Sequence, residues 1–181
     1  LNTLFSISSA CMYMQLVDLL DGDALEGSMG YADLWERVQI TLDEAHMEGR
    51  LKEAIVKNPE RFVRLDPEMP LTLLDQKRAG KKILLITNSE WSYAQPMLAY
   101  AFNDFLPGAM TWRDLFDISI VGARKPDFFS VDMPAFRVES EDGLLREHQN
   151  GPLEEGCVYV GGNAPLVEDT LGLRGEEILY V

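Results

Sequence analysis

The chain is 181 residues long, 46% apolar and 25% charged, with 30 acids against 16 bases and a formal net charge of −14. A chain of that size can bury one good core, or a core with a small cap. So acidic a surface repels nucleic-acid backbones, and no apolar run approaches the ~18 residues that suggest a membrane span, which argues against both nucleic acid and membrane as partners.

No basic n-region followed by an apolar h-region is visible, so no secretory signal is expected. Cys11 and Cys157 lie in apolar surroundings without a CxxC or Cys/His cluster. That pattern predicts reduced core thiols in a cytoplasmic protein. The chain starts at Leu1 and ends in Glu176-Glu-Ile-Leu-Tyr-Val181, which reads as a strand. Both ends are therefore expected to be cuts through a longer protein.

Residues 1–60 read as helical. Cys11–Leu20 is apolar nearly all round, as a buried helix is, and Asp21-Gly-Asp-Ala-Leu-Glu-Gly is an acidic break. From Tyr31, Leu34, Val38, Leu42 and Ala45 keep helical spacing, with Glu36, Gln39, Asp43, His46 and Arg50 on the opposite side. Gly49 marks a helix stop, and Leu51–Val56 is a further short helix. From Pro70 the pattern changes: helix Leu71–Arg78 ends at Gly80, strand Lys81–Thr87 is almost continuously apolar, and helix Tyr93–Phe102 follows. Phe116–Val121 is the next strand, and Phe136–Leu153 reads as an antiparallel hairpin turning at Glu-Asp-Gly 141–143. Strand Cys157–Val160, helix Pro165–Leu171 and strand Glu177–Val181 are expected to close a βαβ unit. The alternation places the second half in the α/β class, with a parallel sheet.

Ligands of open parallel sheets bind beyond the carboxyl ends of the strands. Thr87, Asn88 and Ser89 end one strand before a helix, where a hydroxyl and an amide suit an anion nest, or equally a helix N-cap. Lys125 follows the next strand, beside Pro126. A lysine there is a point charge for a phosphate or an exposed loop residue. Asp43 and His46 share a helix face, which with Lys52 looks into a pocket or is solvated. Asp21-Gly-Asp23 could hold magnesium as a paired-acid motif, but its helical, Leu- and Met-rich lead-in makes it a solvated helix-end loop. Gly161-Gly162 lacks GxGxxG spacing and reads as a tight turn.

Leu1-Asn-Thr-Leu-Phe5, Gly49-Arg-Leu-Lys52, Leu85-Ile-Thr-Asn-Ser89, Phe116-Asp with Ala123-Arg-Lys-Pro126, and Tyr159-Val-Gly-Gly162 occur in an order that resembles the cytosolic purine 5′-nucleotidase family. That family, with its "5′-nucleotidase domain-containing" members, belongs to the haloacid dehalogenase superfamily of phosphohydrolases. The resemblance spans essentially the whole chain. It implies a Rossmannoid parallel-sheet core, incomplete in this chain, with a helical cap-type segment at 1–66 and an α/β core at 67–181 carrying a hairpin insertion near 130–156.

The resemblance also implies residue roles. Thr87, Asn88 and Ser89 would bind the substrate phosphate, and Lys125 would be the catalytic lysine stabilising charge on it. Asp43, His46 and Lys52 would face the nucleoside, while Gln39 stands where purine-specific members tend to carry arginine and leaves base preference open. The nucleophilic aspartate of the first motif would precede Leu1, and the fourth motif would begin after Val181. The metal ligands would therefore lie outside the chain, magnesium being the cofactor of the intact protein. The implied reaction is hydrolysis of a nucleoside 5′-monophosphate through an aspartyl-phosphate, with the segment alone inactive and homo-oligomerisation open. A non-catalytic nucleotide-binding or scaffold protein of the same fold is the alternative. A phosphoacceptor signalling domain fits poorly with 60 helical residues at the start.

Overall fold

The computed structural model describes residues 7–149 and 151–181, and of His46 and Met47 the backbone only. The chain divides into two compact units, Leu1–Lys57 and Asn58–Val181.

The first unit is helical: α1 (Ile7–Asp21), α2 (Tyr31–Met47) and α3 (Arg50–Lys57). Leu34 and Val38, one helical turn apart, are its buried apolar residues on α2. Tyr13 and Trp35 meet edge to face with ring centroids 5.2 Å apart, and Tyr13 donates to the Tyr31 carbonyl at 3.1 Å. The Tyr31 hydroxyl donates in turn to Asp21 at 2.7 Å, and that hydrogen bond raises the pKa of the phenol. Asp33 starts α2 by accepting the Gly30 amide at 2.9 Å, which satisfies an N–H at the helix start. Asp21, Gly22 and Asp23 are exposed at the end of α1, as a solvated loop requires.

The second unit is a sheet covered on both faces. After α4 (Pro59–Phe62) and α5 (Glu68–Arg78) come β1 (Leu84–Ile86), α6 (Trp91–Phe102), β2 (Ile118–Val121), β3 (Ala135–Val138), β4 (Leu145–Glu147), β5 (Val158–Gly161) and α7 (Ala164–Leu171). The sheet order is β1-β2-β5-β3-β4. β1, β2 and β5 run parallel, with Leu84 opposite Ile118 and Ser119 opposite Val158. β2 lies inside the sheet and all four of its residues are buried, three of them aliphatic and the fourth Ser119.

Strand alternation divides the core. Val121 and Val158 face one cluster, with Trp91, Ala94, Trp112, Leu115 and Phe116. Ile118, Ile120 and Tyr159 face the other, with Phe128, Leu153 and Val167 of α7. The predicted α/β class with a largely parallel sheet is therefore the observed one.

Three expectations are corrected. Residues 178–181 are not a strand: a single 3₁₀ turn, Gly175–Glu177, precedes them, and among the described residues no strand of the sheet pairs with them. An extended segment becomes a strand only when a neighbour takes up its main-chain groups, so the last βαβ unit does not close. The expected hairpin is present as β3 and β4, and β3 also pairs antiparallel with β5, which makes the hairpin part of the sheet. Gly161 makes that junction possible: at φ +77, a Cβ would come within 2.8 Å of the Pro134 carbonyl. Lastly, the thiols are free but not core groups, Cys11 being exposed and Cys157 half-buried. Nor is α1 a buried helix: none of its residues is buried, and Met12, Met14 and Leu19 are exposed.

At the amino-terminal edge of the sheet, Asp117 ties β1 to β5. Its carboxylate accepts the Ile83 amide at 2.8 Å and Lys77 Nζ at 3.3 Å, with Lys82 Nζ at 3.6 Å, while its carbonyl accepts the Gly156 amide at 2.7 Å. Burial opposes ionisation and is the largest single influence. The Ile83 amide and the two ammonium groups together outweigh it and hold the carboxyl below its ordinary pKa. A depressed carboxyl stabilises the fold fully above its unfolded pKa, ~3.9, and this stability is lost as pH falls through the folded value. Asp117→Asn is expected to cost about 2 kcal/mol at pH 7, the lysine contacts being partly solvent-screened. Urea unfolding of wild type and variant should show this difference shrinking by about pH 3. A difference unchanged between the two pH values would contradict the assignment.

Candidate functional site

Beyond the carboxyl ends of β1 and β2 the parallel ladder continues into the loops. The Thr87 amide donates to the Ile120 carbonyl at 2.9 Å, Ala123 N to the Thr87 carbonyl at 3.0 Å, and Gly122 N to the Ser89 carbonyl at 2.8 Å. These bonds lay residues 87–89 alongside residues 122–125. They bring Thr87, Asn88, Ser89 and Lys125 together beyond the carboxyl ends of the strands, the side on which open parallel sheets bind ligands.

The side chains reinforce this. Asn88 Oδ1 accepts the Lys125 amide at 2.6 Å, and its Nδ2 donates to the Lys125 carbonyl at 3.0 Å. Asn88 thus grips the Lys125 main chain from both sides and keeps a second amide proton for another acceptor. The Lys125 ammonium donates to the Ile86 carbonyl at 2.7 Å and to the Tyr180 hydroxyl at 3.1 Å, 5.2 Å from the Tyr180 ring centroid. Thr87 Oγ1 accepts the Ser89 amide at 3.1 Å, which directs its own proton elsewhere. Arg124, immediately before the lysine, sits at φ 58, a left-handed conformation that costs a non-glycine residue energy and tends to occur at functional sites. The arrangement can offer an oxyanion a hydroxyl proton, an amide proton and an ammonium.

A model of the 5′ nucleotidase family matches residues 1–181, the whole chain. The chain belongs to that family. It is also 26% identical, over 99% of its length, to a 5′-nucleotidase domain-containing protein of Dictyostelium discoideum. The match covers 30% of that relative, so the chain spans under a third of its length.

In this 5′ nucleotidase family member, the residues expected near the nucleoside lie in the helical unit. Asp43 is exposed on α2 and Lys52 half-buried on α3. The side chain of His46, like the Leu1–Phe5 stretch of the resemblance, lies outside the described residues. A cleft of about 570 Å³ in the sheet unit is lined by Phe129, Asp132, His148, Asn163 and Asp169 among others, but not by Thr87, Asn88, Ser89 or Lys125. Among the described residues, no helix is long and apolar enough to cross a membrane.

Two partners escape sequence reasoning. Tyr180 falls in a predicted strand, yet it caps the lysine and meets Phe129 edge to face at 5.8 Å. No local pattern signals a contact 55 residues from Lys125. Asn163 accepts the Leu166 amide at 2.9 Å as the N-cap of α7 and donates to Asp132 at 2.8 Å. Its signal, Asn two residues ahead of Pro165 at a helix start, is legible as a cap.

Proposed function

We propose that the full-length protein hydrolyses nucleoside 5′-monophosphates, purine ones among them, and that residues 1–181 supply its phosphate cradle. The observation that carries this reading is the two-bond grip of Asn88 on the Lys125 main chain. It fixes the Lys125 main chain against the strand-end turn that carries Thr87, and the lysine ammonium reaches the Ile86 carbonyl one residue before that turn, in a chain of the 5′ nucleotidase family.

In this reading Thr87, Asn88 and Ser89 donate to the phosphate oxygens, and Lys125 offsets the charge that grows on them in the transition state. The reaction is of haloacid dehalogenase type. A carboxylate oxygen of an aspartate attacks phosphorus, the bond to O5′ breaks, and the nucleoside leaves with a proton. Water then hydrolyses the aspartyl-phosphate to inorganic phosphate and the free carboxylate. In this proposal that aspartate and the magnesium ligands belong to the full-length protein outside residues 1–181. Among the described residues no three His, Cys, Asp or Glu side chains come together to hold a metal.

Asp43, His46 and Lys52 face the nucleoside in the same proposal. The protein is placed in the cytoplasm, which its free thiols support. The test is phosphate release by the full-length protein from inosine or guanosine 5′-monophosphate. Turnover of these, with residues 1–181 alone inactive, supports the reading. Nucleotide binding without release would replace the enzyme by a scaffold of the same fold.

A further inference from the structure

Trp91 opens α6, two residues after Ser89, so whatever fixes its ring fixes the end of the phosphate turn. The residue is 8% exposed. The Arg113 guanidinium lies 4.9 Å over its ring and 5.1 Å over that of Trp112, filling the wedge between two indoles 6.3 Å apart. The same guanidinium donates to the Glu141 carboxylate at 2.6 Å. Trp91 Nε1 donates to the Glu141 carbonyl at 3.1 Å, a contact 50 residues apart in sequence. Gly143, at φ +87, closes in on the ring so tightly that a Cβ would stand 3.2 Å from Trp91 Cδ1. Glu141 and Gly143 both belong to the tip of the β3–β4 hairpin.

We propose that Arg113 is a positioning residue, which locks the hairpin tip onto Trp91 and thereby holds the turn carrying Thr87, Asn88 and Ser89 in its anion-binding shape. Its effect on phosphate rests on the reading proposed above, but the brace itself does not. Ordinary core packing does not require this chemistry. The Arg113 side chain is 33% exposed and that of Glu141 69%, so the ion pair sits in solvent and contributes little by itself. What the site uses is the planar guanidinium, which can stack on two rings while its edge reaches a carboxylate. A lysine keeps the charge and loses the stack. The hairpin tip is thereby tied to the first residue of the helix that follows the phosphate turn.

The test uses the full-length protein with Arg113→Met, Arg113→Lys and Glu141→Gln, read by amide hydrogen exchange and by affinity for inorganic phosphate. Arg113→Met is expected to speed exchange across residues 87–93 about tenfold while β2 and β5 keep wild-type protection. It should weaken phosphate binding about three- to tenfold, with Arg113→Lys between wild type and Arg113→Met. If Arg113→Met fails to fold, Arg113→Lys, which keeps the charge and loses the stack, carries the same comparison. Glu141→Gln, which leaves the stack in place, should change exchange less than either. Unchanged exchange at residues 87–93, or faster exchange spread equally over β2 and β5, would overturn the brace. A wild type that does not bind phosphate would remove the phosphate reading and leave the brace to be decided by exchange alone.

Discussion

Replacing Lys125 by methionine in the full-length protein is expected to lower kcat/KM for a nucleoside 5′-monophosphate about 10²–10³-fold, the usual cost of one preorganised charge-stabilising donor. Methionine keeps an unbranched stem and removes only the ammonium. Charge on the phosphate oxygens grows toward the transition state, so most of the loss should fall on kcat and less on KM. Stability should change little. The Ile86 carbonyl that accepts from Lys125 Nζ lies at a strand end where water can replace the lysine, and Asn88 grips the main chain, which the substitution leaves intact. Steady-state kinetics with a parallel thermal melt checks this. A kcat/KM within about threefold of wild type would remove Lys125 from the chemistry.

Trp112→Ala is expected to act the other way, on stability. The residue is 2% exposed, and its ring lies 6.3 Å from those of both Trp91 and Phe116. Its main-chain amide is held by Asn103 Oδ1 at 2.8 Å. Removing a buried indole costs about 3–5 kcal/mol, through lost transfer energy and the cavity left behind. Neighbours tied to two elements cannot collapse freely into that space. The melting temperature should fall by about 10 °C or more. Leu144→Ala, at a residue 64% exposed, is the matched control and should leave it nearly unchanged. A loss below about 1 kcal/mol at Trp112 would mean that this cluster is not the rigid part of the core.

The parts of the fold legible in the sequence are those that local chemistry dictates. β2 is buried throughout and carries three aliphatic residues in four, so its Phe116–Val121 segment is legible as a strand without any partner being known. Thr87 and Lys125 follow apolar runs and therefore fall at strand ends, whatever the order of the strands. What stays hidden depends on partners distant in sequence. The final Ile178–Val181 stretch has the composition of a strand, but nothing in its own residues says whether a neighbour is there to pair with it. The pairing of β3 with β5 turns on the space beside Gly161, which composition does not reveal. Asn88 reads as a phosphate ligand or a cap, whereas the structure commits its Oδ1 and one amide proton to the Lys125 main chain. Nothing in the sequence around Arg113 marks it, and only the folded chain shows the two indoles it lies against.

If the loops after β1 and β2 form one phosphate cradle, a crystal structure of the full-length protein grown with inorganic phosphate will show it most directly. An anion is expected there with oxygens at about 2.7–3.1 Å from Lys125 Nζ and Thr87 Oγ1, hydrogen-bonding distances for charged and neutral donors. Phosphate bound elsewhere, with Lys125 Nζ still engaged only by the Ile86 carbonyl and Tyr180, would contradict the cradle.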